Sequence, residues 1–249
     1  MTDLSDKLTA LNLDFMAKEL EPVISDAASK NLSHSDMLER LADIEIDGRQ
    51  ERSIARRFRL SKLRCQYDIA DFDFEHDKSR RQLKAKILRL LDLDFIRQGT
   101  NLVIIGNPGV GKTYLAQTIA WKACQANMRV LFSPAMHMLN LLVASQVDHS
   151  LVRKLKIFTE PELLIVDELG YLSLDQQTSN LLYQVISTRH ADKRSTIITT
   201  NTAFSEWGNI LYNTTIAAAI ADRLVENSEV FLLGGRTRRN PINGSVHSS

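Results

Sequence analysis

The stretch NLVIIGNPGVGKTYLAQTIA, residues 101–120, constrains this chain more than any other. A run of apolar β-formers enters a glycine-rich turn, and a helical pattern leaves it. Gly106, Asn107, Pro108, Gly109, Val110, Gly111, Lys112 and Thr113 fit the pattern G-x-x-x-x-G-K-[ST], in the strand-to-helix context that the pattern requires. The glycines let the N–H groups of the turn point inward, and the helix N-terminus adds partial positive charge. Such a turn cradles phosphates. Lys112 is placed to reach the β- and γ-phosphates and Thr113 to hold Mg²⁺, with Tyr114 bordering the cradle.

The texture around this turn predicts an α/β fold. Strands are expected at NLVIIG, RVLFS, ELLIVDE, STIITTN and VFLLG. Helices are expected over 113–126, from the Ser133-Pro134 pair to about 146, over SLVRKLKIF, over 175–190 and over 215–226. Unbroken apolar strands alternating with helices mean a parallel sheet covered on both faces. Residues 1–66 read as all helix, a separate N-terminal domain. Leu4, Leu8, Leu11 and Phe15 fall at helical spacing, Pro22 interrupts, Ser33 and Asp36 form a capping box, and Gly48 breaks or kinks the next helix. Residues 67–99 read as a polar linker followed by a helix from about 79 to 98. Residues 100–240 form the nucleotide-binding domain, and 241–249 a flexible tail.

The strand LLIVDE ends in two acids, Asp167 and Glu168. Burying adjacent carboxylates costs free energy unless cations or hydrogen bonds offset it. Beside a P-loop, Asp167 is the natural Mg²⁺ partner, and Glu168 is positioned to polarise a water. A glutamate at that place favours water over a substrate hydroxyl as nucleophile, hence an ATPase with ATP and Mg²⁺ as cofactors. Asn201, ending STIITTN, sits either between γ-phosphate and water or in an Asx turn. Arg223 is either a finger reaching a neighbouring subunit's γ-phosphate or a surface arginine paired with Asp222 or Glu226.

The formal net charge is +1, so contact with nucleic acid has to come from local patches. Two basic clusters qualify: Arg52, Arg56, Arg57 and Arg59 in the first helical domain, and Arg153, Lys154 and Lys156 before the VDE strand. Each either contacts phosphates or is a solvated helix face. Arg236, Arg238 and Arg239 form a weaker third cluster. Cys65 and Cys124 lack metal or redox spacing and are expected to be free buried thiols of a reducing compartment. No apolar run is long enough to cross a membrane, and the N-terminus is unlike a signal peptide, so the cytoplasm is the expected location.

The order P-loop, VDE, TTN, ADRL resembles that of AAA+ ATPases. NPGVGKTYLA, LLIVDELGYLSL, IITTNTAFSEW and AAIADRL, with LSHSDMLERLADIE and DFDF ahead of them, resemble the IstB/DnaC-like group, closest to the IstB helpers of insertion-sequence transposases. That resemblance implies head-to-tail homo-oligomers that hold ATP between subunits and grip duplex DNA, with a transposase as partner. A replicative helicase loader is the alternative. It further implies phosphate binding by Gly111, Lys112 and Thr113, magnesium at Asp167, catalysis at Glu168, sensing at Asn201 and a trans finger at Arg223. Relatives end in G-x-S-Y-R where this chain reads GRTRR, which leaves a role for Arg239 open. A separate helical lid is expected to be absent.

Overall fold

The computed structural model describes residues 2–170 and 173–235. The chain divides into two compact units, Met1–Arg56 and Arg57–Ser249. The basic residues Arg236, Arg238 and Arg239 and the expected tail lie outside the described residues.

Helices α1 (Thr2–Ala10), α2 (Asp14–Lys30) and the first part of α3 (His34–Ser61) make the first unit. The capping box forms as read: Asp36 N donates to Ser33 Oγ at 3.2 Å, and Ser33 N donates to Asp36 Oδ2 at 3.3 Å. Three other expectations are corrected. Helix α1 stops at Ala10, before Leu11 and Phe15, and Leu4 and Leu11 are exposed, so the predicted four-residue stripe is broken. Pro22 lies inside α2 rather than ending a helix. Its neighbours Leu20 and Val23 are buried with Leu41, and that packing outweighs the roughly 3 kcal/mol such a proline costs. Gly48 does not break α3, which runs through it. A Cβ there would lie 2.3 Å from Phe15 Cγ, so the glycine makes room for the Phe15 ring.

The second unit carries a five-stranded sheet. Its strands are β1 (Asn101–Gly106), β2 (Val130–Pro134), β3 (Leu163–Leu169), β4 (Ser195–Thr200) and β5 (Ser228–Leu233). They lie in the order β2-β3-β4-β1-β5, and every neighbouring pair is parallel. Alternate residues of the strands feed two cores. Leu102, Ile165 and Ile197 pack with Leu115 and Ile119 of α6 (Lys112–Gln125). Leu164, Val166 and Ile198 pack with α7 (Ala135–Val147), α9 (Gln176–Ala191), α10 (Trp207–Ile210) and α11 (Thr214–Val225). This is the two-faced burial that continuous apolar strands require.

The segment read as a linker is built into the first of these cores. Phe72 and Phe74 are buried there. Asp68, Asp73 and Asp77 cap successive turns, accepting from Ala70 N, Glu75 N and Ser79 N. Polar spacing that resembled a tether is thus a row of Asx caps with aromatics tucked between them. The helix expected over 79–98 is two, α4 (Lys78–Arg89) and α5 (Asp94–Arg97), parted where Leu93 takes φ +62°. Ser133-Pro134 is not a helix start. Edge strand β2 runs through Pro134, since an edge tolerates the missing N–H, and α7 starts at Ala135. Cys124 is buried, and burial pushes its thiol up to about 11. Cys65 is exposed, contrary to expectation. No helix among the described residues is long and apolar enough to cross a membrane.

Candidate nucleotide site

The turn after β1 and the N-terminus of α6 border a cavity of about 420 Å³. Pro108, Gly109, Gly111, Lys112, Thr113 and Tyr114 line it from the P-loop side, and Glu168 from β3. Gly111 has φ +88°, and a Cβ there would meet the Phe72 ring at 3.4 Å. The buried Lys112 ammonium donates to the carbonyls of Gly106 (2.8 Å) and Asn107 (3.0 Å). Val110 turns its side chain into the core instead.

Tyr67, Asp71, Phe72 and Arg80 close the cavity from the capped segment. The Tyr67 and Tyr114 rings stand 4.3 Å apart, and Tyr114 donates its hydroxyl to Asp68 O at 2.8 Å. Arg80 is fully buried. It donates to Asp73 O at 3.0 Å and to the P-loop carbonyl of Val110, with its guanidinium 5.1 Å over the Phe72 ring. Sequence reading missed Arg80, because an arginine in a polar stretch resembles any solvated base.

The two acids part company. Asp167 is buried, and its Oδ1 accepts from Thr113 Oγ1 at 2.8 Å and from Thr199 Oγ1 at 2.6 Å. Glu168 is exposed and faces the cavity. Between Val166↔Ile198 and Leu169↔Thr200 the β3–β4 register gains one residue on β3. Glu168 sits in this bulge with φ +60°, a left-handed conformation that costs a non-glycine residue about 1–2 kcal/mol. In a regular strand adjacent side chains point to opposite faces. The bulge is what brings both carboxylates to the Thr113 side. The expectation that both are buried holds for Asp167 only.

The oxygen donors Thr113 and Asp167 suit Mg²⁺, which binds through few carboxylates and takes its remaining ligands from phosphate and water. The glycine turn and buried ammonium suit a polyphosphate. The residues present therefore fit a magnesium nucleotide. Among the described residues no cluster of three or more His, Cys, Asp or Glu offers a different metal site.

The other predicted residues lie outside the cavity lining. Asn201 follows β4 and accepts from Thr202 Oγ1 at 3.2 Å. Arg223 of α11 donates to Ala219 O at 2.9 Å and stacks 4.8 Å over the Tyr183 ring of α9. Glu226, one expected partner for Arg223, lies 3.3 Å from His190 Nε2 instead. On α8 (Leu151–Thr159), Arg153 and Lys156 border one shallow hollow, while Lys154 borders a different one. Of the first basic cluster, Arg52 pairs with Asp14 at 3.1 Å and stacks on Phe15, and Arg57 bonds Asn127. Arg56 and Arg59 are exposed.

Arg189 was also missed. It is buried on α9 and donates to the carbonyls of Phe158, Pro161 and Ser195 and to Thr196 Oγ1, tying the end of α8 to the starts of β3 and β4. Burial pulls its guanidinium down to about 9, so it stays charged at neutral pH.

Across residues 6–242 the sequence matches the family described as IstB-like ATP binding protein. The chain belongs to that family. Its relatives include proteins described as ATP-binding proteins of insertion sequences. That of IS5376 from Geobacillus stearothermophilus is 37% identical over 229 residues, covering 92% of this chain and 90% of the relative. That of IS21 from Pseudomonas aeruginosa is 30% identical over 240 residues, covering 96% and 89%. Among solved structures, DnaI aligns with a TM-score of 0.58 at 23% identity, over 73% of this chain and 93% of that one. AMPPCP-bound DnaA from Aquifex aeolicus aligns with a TM-score of 0.58 at 17% identity, over 69% and 51%. Likeness at these identities establishes the fold, an AAA+ P-loop fold.

Proposed function

We propose that this IstB-like chain is a magnesium-dependent ATPase that assembles head-to-tail on duplex DNA and assists an insertion-sequence transposase in selecting or remodelling its target. The observation that carries this reading is the hydrogen bond between Thr113 and Asp167 at 2.8 Å, with Glu168 beside it at the cavity wall. Thr113 and Asp167 would hold a magnesium ion there, which would offset phosphate charge. Lys112 and the N–H groups of the turn hold the triphosphate, and the Tyr67, Phe72 and Tyr114 rings suit a purine base. As the water oxygen bonds to the γ-phosphorus and the bond to ADP breaks, Glu168 accepts the water's proton, general-base work worth roughly 10²–10⁴ in rate. Asn201 orients that water, and Arg223 enters a neighbour's site. Arg153 and Lys156 contact the phosphate backbone without reading sequence. The insertion-sequence setting of the relatives supports a transposase as partner.

The test is a gel shift on duplex DNA with ATP, ADP or no nucleotide, followed by transposase pull-down. ATP-dependent binding and transposase capture are expected. Equal binding in all three states sinks the switch. Preference for single strands with capture of a hexameric helicase makes the protein a helicase loader.

A further inference from the structure

We propose that Thr199 is a positioning residue for the magnesium site, holding Asp167 and Glu168 in their working arrangement through one hydroxyl. The inference rests on the ATPase reading above. Thr199 is fully buried in β4, facing the bulge in β3. Its Oγ1 donates to Asp167 Oδ1 at 2.6 Å and accepts from Glu168 N at 2.9 Å. A hydroxyl has one proton and two lone pairs, so both bonds form at once. The first is a short, charge-assisted bond that orients a carboxylate. The second occupies the N–H that the bulge removes from the regular ladder, at the residue with φ +60°.

The two threonines on Asp167 Oδ1 differ in what they can do. Thr113 opens α6 and lines the cavity, so its oxygen is available to a cation. Thr199 is enclosed and stays on the carboxylate. It therefore stands outside the metal's ligands and sets where one of them points, the arrangement by which a neighbouring group tunes metal affinity. Because the same hydroxyl fixes the Glu168 backbone, losing it loosens the metal ligand and the water-polarising residue together.

Thr199→Val, Thr199→Ser and Thr199→Ala are compared with the native chain. Mn²⁺ replaces Mg²⁺, and its binding in the presence of a non-hydrolysable ATP analogue is read by electron paramagnetic resonance. Nucleotide affinity without divalent cation, melting temperature and the Mg²⁺ dependence of ATP hydrolysis are read alongside. Thr199→Val is expected to weaken Mn²⁺ about tenfold and to raise the Mg²⁺ needed for half-maximal turnover by a similar factor. Cation-free nucleotide affinity is expected to stay unchanged, and Thr199→Ser to restore the native values. Native Mn²⁺ affinity in Thr199→Val overturns the proposal, as does a serine variant as weak as the valine one. Should Thr199→Val fail to fold, Thr199→Ala removes the hydroxyl with less crowding and is judged by the same numbers. Failure of both to fold, with serine intact, makes the hydroxyl purely structural and also overturns it. Asp167→Asn separates the two levels. If that variant leaves Mn²⁺ affinity native, the magnesium reading itself fails. If it weakens Mn²⁺ while Thr199→Val does not, only the role of Thr199 fails.

Discussion

The guanidinium of Arg223 lies 4.8 Å over the ring of Tyr183, and its Nη1 bonds Ala219 O one turn back on α11. The side chain is thus held at a stated place while remaining partly exposed. Under the trans-finger reading, Arg223→Ala should lower ATP turnover roughly 10³-fold or more with nucleotide binding intact. Mixing Arg223→Ala subunits with Lys112→Ala subunits should restore part of the activity, because each lends what the other lacks. No recovery in the mixture, measured by phosphate release, would place Arg223 outside a shared site. Tyr183→Leu should cost far less, about the 0.5–2 kcal/mol of a cation–π contact.

Glu45 on α3 caps the start of α2, accepting from Phe15 N and Met16 N at 2.9 Å each and from Arg49 Nε at 2.7 Å. Leu13, at the cap position itself, has no side-chain acceptor to offer. Burial acts to raise the Glu45 pKa, but the bonds from Arg49, Met16 and Phe15 outweigh it and hold the carboxyl below its ordinary 4.5. A depressed carboxyl stabilises the fold above the unfolded-state pKa, and that stability is lost as pH falls through the folded value. The N-terminal helices should therefore loosen in acid below about 4.5. Glu45→Gln should cost about 1–2 kcal/mol at neutral pH and flatten that acid dependence, read by circular dichroism melts across pH.

Arg153 and Lys156 share one face of α8, whereas Lys154 borders another hollow. If the shared face meets DNA, Arg153→Ala combined with Lys156→Ala should reduce the slope of log K against log salt by about 2, uniformly across sequences. Lys154→Ala should change it less. A salt titration of duplex binding by anisotropy checks this, and an unchanged slope in the double variant assigns the face to solvent.

Arg189 holds carbonyls from the end of α8, the α8–β3 turn and the start of β4 on one buried fork. A lysine ammonium cannot span that fork. Arg189→Lys should destabilise the second unit by about 3 kcal/mol, since buried carbonyls lose partners at roughly 1–3 kcal/mol each. Denaturant melts measure this. A loss below 1 kcal/mol would mean that water replaces the guanidinium.

Much of this architecture was legible because local chemistry carried it. The P-loop, the order of strands and helices and the Ser33–Asp36 box depend on residues within a turn or two of each other. Where packing overrode a local preference, reading failed. Pro22 stays helical because its neighbours are buried, and Gly48 stays helical because a ring fills the space of its missing side chain. Asp68, Asp73 and Asp77 resembled solvated linker acids, although each spends its carboxylate on the next turn's N–H.

The sequence by itself determined that a P-loop turn precedes a strand ending in two carboxylates, since both motifs are written in consecutive residues. Only the tertiary structure decided how those carboxylates are used. Thr113, Asp167 and Thr199 are far apart along the chain, and they meet because the strand carrying Asp167 pairs in parallel with the strand carrying Thr199. The extra residue at Glu168 has no local signature. It arises from the register between two strands, and that register turns two neighbouring side chains, otherwise on opposite faces, toward one site.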